Sequence, residues 1–87
     1  MIVISNFEVT KGYEFWKKAF ESNETFRQKH NVKVLAYGHE DGIESNVYTV
    51  VEINSIEDKQ LKEPSMVELR ENAGVKHASL KITSLVE

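Results

Sequence analysis

Apolar residues crowd both faces of the first nine positions of the chain. Ile2 and Ile4 fall on one face of an extended segment, and Val3, Phe7 and Val9 fall on the other. β-Branched and aromatic residues at period two predict a strand over residues 2–9, and apolar side chains on both faces predict an interior position in a covered sheet. Thr10-Lys11-Gly12 reads as a turn, with Thr10 as the helix cap. The period then changes over residues 13–30. Trp16, Ala19, Phe20, Phe26 and His30 recur at spacings of three and four, which is one face of an amphipathic helix. Ser22-Asn23 interrupts that stripe. Both side chains compete for nearby backbone groups, so a bend or recapping is expected there.

Residues 32–38 and 46–53 return to strand composition. They flank a polar loop from His39 to Ser45, whose Gly42 suits a hairpin turn. Val47, Thr49, Val51 and Ile53 share one face; Tyr48, Val50 and Glu52 share the other. Ser55-Ile56-Glu57-Asp58 has the form of a capping box, opening a short helical turn that carries Leu61. Pro64 suits the first turn of a further helix, with Met66, Leu69, Arg70 and Ala73 on one face and Gly74 where the helix stops. A last strand is expected over 77–84 or slightly longer, Ala78, Leu80 and Ile82 alternating against Ser79, Lys81 and Thr83. The order β-α-β-β-α-β predicts an α+β, ferredoxin-like fold: one four-stranded antiparallel sheet, strand order 4-1-3-2, with both helices on one face. No element remains to cover the other face. Its Val, Leu, Tyr and Phe side chains predict self-association through the sheet.

The run Tyr13-Glu14-Phe15-Trp16-Lys17-Lys18-Ala19-Phe20, with Arg27 beyond it, carries a family resemblance. So do Asn31-Val32, the Glu40-to-Asn46 segment before Val47-Tyr48, and Pro64 followed by Ala73-Gly74-Val75. With these landmarks the chain resembles the dimeric α/β-barrel superfamily, which includes small antibiotic-biosynthesis monooxygenases and muconolactone isomerases. The likeness spans almost the whole chain and is strongest to short bacterial members with no assigned activity. It implies a homodimer in which two sheets pack face to face with the helices outside. It also implies ligands held between helices and sheet, or in the barrel mouth. One fold hosts many chemistries, so the resemblance alone names no reaction.

Size and composition narrow the function classes. The 87 residues fit a single domain, 1–87. A domain this small buries only about 60–65% of its unfolded surface, which makes a partner subunit a natural source of further burial. The chain has no cysteine, which excludes a thiol nucleophile, an iron–sulfur site and a thiolate zinc site. Net charge is −3, and the two arginines, Arg27 and Arg70, stand far apart in sequence. Nucleic acid is therefore not an expected partner. No basic leader precedes the first apolar run, and no apolar stretch approaches the roughly 20 residues of a membrane span. A cytoplasmic protein without a membrane partner is the expectation.

Candidate chemistry is sparse. His30 is expected at one end of the sheet. His39 and His77 are expected at the other, on opposite edge strands about 14 Å apart at ~4.8 Å per strand. Metal ligands sit about 2 Å from the ion, so no single-chain metal site is expected. The acidic residues Glu40, Asp41 and Glu44 read as a solvated turn without calcium-loop spacing. No phosphate loop, dinucleotide turn or nucleophile elbow occurs, and no cofactor is expected. The residues that could line a ligand pocket are Trp16, Phe20, Asn23, His30, Tyr37, Tyr48 and His77. Trp16 and Phe20 read first as core, Asn23 as a helix break, and Tyr37 and Tyr48 as packing in a dimer interface. Two functions remain open: a homodimer that binds a small molecule or is purely structural, and a cofactor-free monooxygenase or isomerase acting on a small aromatic or polyketide-like compound.

Overall fold

In the computed structural model, residues 1–29, 31–53 and 64–86 are described. The elements are β1 (Ile2–Val9), α1 (Tyr13–Ser22), α2 (Glu24–Lys29), β2 (Lys33–Glu40), β3 (Ile43–Glu52), α3 (Pro64–Asn72) and β4 (Val75–Leu85). The strands form one antiparallel sheet in the order β2-β3-β1-β4. β3 therefore lies between β1 and β2, and β1 lies between β3 and β4. Each crossover helix joins two strands that run the same way with a third inserted between them. This is the ferredoxin-like arrangement read from the sequence. The capping box at 55–58, Leu61 and His30 lie outside the described residues.

Residues directly opposite in an antiparallel pair share a face. Val3, Phe7 and Val9 are buried, as are Val47 and Thr49 on β3 and Ile53 just beyond it. Trp16 of α1 and Ala73, at the end of α3, pack into the same cluster as Phe7, Val9, Val47 and Val75. The core is thus the layer between the helices and one face of the sheet. The opposite face can be read from the register. Ile4 faces Val50 and Thr83, Asn6 faces Tyr48 and Lys81, and Ile2 faces Glu52 and Leu85.

Several local expectations are corrected. The N-cap of α1 is Gly12, at φ 91°, with no side-chain cap. The Thr10 hydroxyl instead donates to the Gly74 carbonyl at 3.1 Å, and the Thr10 N–H donates to the same oxygen at 2.8 Å. Thr10 therefore ties the entry of α1 to the exit of α3. The loop expected from His39 to Ser45 is mostly strand. β2 runs to Glu40 and β3 begins at Ile43, leaving Asp41-Gly42 as the turn, with Gly42 at φ 82°. Polar residues on an exposed edge hide such strand ends from a reading based on apolar alternation.

β4 begins at Val75, and its register against β1 jumps between Asn6↔Lys81 and Glu8↔Lys76. Ser79 bridges this bulge, its hydroxyl donating to the Lys76 carbonyl and accepting from the Glu8 N–H. The bulge breaks the expected alternation and leaves Ala78 exposed. Ser22-Asn23 does end the first helix: the Asn23 carbonyl accepts from the Arg27 N–H, which starts α2 as a separate helix. Asn31, at φ 57°, closes α2, and the Val32 N–H donates to the Arg27 carbonyl at 2.8 Å.

Gly74 is the stop signal that the sequence marked, at φ 81°. A Cβ there would stand 3.1 Å from Cβ and Cγ of Lys11. Gly74→Ala is accordingly expected to lower stability by about 1–2 kcal/mol through left-handed strain, with crowding adding to it. Urea unfolding at 25 °C measures this, and an unchanged midpoint would contradict the left-handed backbone.

Candidate functional site

The side chains able to meet a ligand collect around Trp16, the chain's single tryptophan. Tyr13, Trp16 and Phe20 recur along α1 at helical spacing and face the sheet. Trp16 is 2% exposed. Its ring stacks on Phe20 at 4.8 Å between centroids and meets Phe7 at 5.6 Å, Tyr13 at 5.7 Å and Tyr37 at 5.9 Å. Phe20 and Tyr37 are 5.0 Å apart. Offset and edge-on ring pairs at these separations add about 0.5–1.5 kcal/mol each beyond the area they bury. Tyr13, Phe20 and Tyr37 are only partly buried. The inner end of the cluster is core, and its outer end opens beside β2, an edge strand.

Tyr37 sits opposite Thr49, on the helix side of the sheet, and its hydroxyl donates to Glu21 Oε2 at 3.2 Å. The expectation that Tyr37 packs in a sheet-face interface is thereby corrected. Partial burial raises the Tyr37 pKa above the ordinary phenol value, and the Glu21 carboxylate raises it further. The hydroxyl therefore stays protonated at neutral pH and acts as a donor.

Arg27 completes the outer end. Its guanidinium lies 3.9 Å from the Phe20 ring centroid. Nε is closed off from solvent and has no hydrogen-bond partner. An unsatisfied buried donor costs on the order of 1–3 kcal/mol. Burial lowers the Arg27 pKa, while Glu24 and Tyr37 oppose that shift; an arginine nevertheless remains charged at neutral pH. Among the described residues no carboxylate comes within the 4.0 Å of an ion pair with it.

The residues singled out from sequence divide among several places. Trp16, Phe20 and Tyr37 meet. Asn23 stands at the α1–α2 junction and serves the backbone turn. Tyr48 lies on the opposite face of the sheet, across from Asn6. His77 is on the far edge strand, with Nε2 3.8 Å from Glu71 Oε1, beyond hydrogen-bond reach. His39 is a strand residue rather than a loop residue, set edge-on to Tyr13 at 4.7 Å. It and His77 occupy opposite edge strands. Among the described residues no group of three or more His, Cys, Asp or Glu could hold a metal ion. Glu40, assigned from sequence to a solvated turn, lies in β2 and accepts from Asn46 Nδ2 at 2.7 Å. Arg27, Tyr13 and Glu21 were not among the candidates. Arg27 follows Phe20 by seven residues, a helical repeat that the expected break at Asn23 obscured.

No protein-family model matches the chain, and no curated protein matches it. Among solved structures it resembles a proposed antibiotic biosynthesis monooxygenase from Deinococcus radiodurans, with a TM-score of 0.55 and 13% identity. The match covers 99% of this chain and 92% of that one. The ferredoxin-like fold expected from the element order is therefore the fold of that protein. Among the described residues no helix is long and apolar enough to cross a membrane.

Two measurements test the ring cluster. Native fluorescence is expected to be blue-shifted and slow to quench with acrylamide, because Trp16 is its only indole source. Trp16→Ala is expected to cost about 3–5 kcal/mol, a large share of the roughly 4–13 kcal/mol available to a domain of this length. Solvent-like emission from the folded protein would contradict this packing.

Proposed function

We propose that the chain is one half of a homodimeric α/β barrel, and that each protomer binds a small aromatic molecule between α1–α2 and β2. The partly buried rings of Tyr13, Phe20 and Tyr37 carry the ligand reading. They form an aromatic wall continuous with the buried Trp16, and apolar sites with a few polar groups are where small molecules bind. The Tyr37 hydroxyl supplies a directional polar group at that wall. A flat ring entering there would extend the existing stacks and bury the outer edges that water now reaches.

The dimer reading rests on the sheet's open face. Ile2, Ile4, Ala36, Tyr48, Val50 and Leu85 lie on it by register. Tyr48 is 39% exposed and Leu85 48%. A second copy is the occupant that fits. Lys33 and Glu52 face each other at one end of this face, and Glu8 faces Lys76 at the other, so both ends carry both signs. A two-fold interface brings a surface against its own copy, and a face of mixed sign meets itself without net repulsion. A rival reading is a cofactor-free monooxygenase or isomerase acting on the bound compound. It draws on the fold shared with the Deinococcus protein, and fold alone does not carry chemistry.

Light scattering at micromolar concentration is expected to give twice the chain mass, and Val50→Asp is expected to give a folded monomer. A monomeric parent protein would refute the dimer. Bicyclic aromatic compounds are expected to quench Trp16 and raise the melting temperature; a panel with no effect on either would refute the ligand site. Oxygen uptake or isomerised product with a bound compound would decide for the enzyme.

A further inference from the structure

We infer that the site beneath α1 and α2 selects planar aromatic carboxylates, with Arg27 as the anion anchor. The inference rests on the ligand site proposed above and adds the chemical class of what it takes. The plane of a guanidinium and its edge do different things. The Arg27 group lies against the Phe20 ring at 3.9 Å, which leaves its N–H groups, arranged along its edge, for an acceptor. A carboxylate matches that fork with two parallel hydrogen bonds; a neutral carbonyl matches only one.

Nothing in the described structure uses this edge. Nε is closed off from solvent without an acceptor, so the fork left for a ligand is the pair of terminal nitrogens. No carboxylate forms an ion pair with Arg27 among the described residues. Glu21, the acidic group closest to the ring wall, is instead held by the Tyr37 hydroxyl at 3.2 Å. Glu24, on the same short helix as Arg27, favours its charged form without contacting it. The ligand that satisfies all of these groups is flat, so that it extends the Trp16–Phe20–Tyr37 stacks, and carries one negative fork-shaped group at its rim.

Titration of Trp16 fluorescence with 1-naphthoate and with its neutral isostere 1-naphthamide tests this on the full chain. The carboxylate is expected to bind at least about tenfold tighter than the amide, the discrimination typical of a charge-assisted pair. Added salt should weaken the carboxylate and leave the amide unchanged. Arg27→Gln should erase the preference while the amide still binds, and Arg27→Lys should restore only part of it, because an ammonium lacks the fork. Circular dichroism and the melting temperature of both variants establish that they fold. Equal binding of carboxylate and amide to the parent protein would overturn the anion anchor and leave the aromatic site standing. No quenching by either compound would overturn both.

Discussion

Burial of one indole ring organises the helix side of this molecule. Trp16 is in contact with rings from three elements: Phe7 on β1, Tyr13 and Phe20 on its own helix, and Tyr37 on β2. Those contacts fix where α1 crosses the sheet and which way it is rotated. The rotation in turn brings Glu21 to the Tyr37 hydroxyl. The turn at Asn23 then redirects the chain and sets Arg27 over Phe20. The candidate site is therefore a by-product of the core: the same ring stack is dry at Trp16 and partly open at its outer end.

Thr10 and Gly74 fix the other end of this layer. Both the N–H and the hydroxyl of Thr10 donate to the Gly74 carbonyl. The entry to α1 and the exit from α3 are thereby joined across the top of the sheet. The hydroxyl looked like a helix cap in sequence because caps and tertiary clasps use the same chemistry. A left-handed Gly12 freed it for the second task.

The sequence was most readable where a face is buried. The patterns in β1 and β3 grouped Val3, Phe7 and Val9 on one face, and Val47 and Thr49 on one face, and both groups are buried. The Phe expected on the open face is Phe7, which lies in the core instead. It was least readable where strands are exposed. Glu40, Ile43, Glu44 and Ser45 pair or extend at the exposed end of the β2–β3 hairpin with little apolar signal, and the β4 bulge depends on a tertiary bond from the Glu8 N–H to Ser79 Oγ. The candidate site followed the same rule. Its buried ring, Trp16, was found by spacing. Tyr37 was found but assigned to the wrong face, since its strand carries small or polar neighbours on both sides. Arg27 was visible as a landmark, yet its place over Phe20 required knowing how α2 turns.

A sheet with helices on one side has two surfaces with different demands. The helix side is filled by the chain's own aromatic residues, and among the described residues its partly open rings stand at the margin beside the edge strand β2. The open side mixes Ile2, Ile4 and Val50 with a polar chain in which Asn6 Nδ2 donates to Asn46 Oδ1 and Asn46 Nδ2 donates to Glu40 Oε1, both at 2.7 Å. That chain crosses from β1 through β3 to β2. Its amides hold one another in place, which keeps polar groups ordered on a surface that is otherwise apolar. An apolar face alone would accept a partner sheet in many registers. Fixed amides that must find matching groups would allow fewer, as buried polar residues do in coiled coils. The two faces of one sheet thus differ in kind: partly open aromatic rings stand at the helix margin, and ordered amides among apolar side chains stand on the open side.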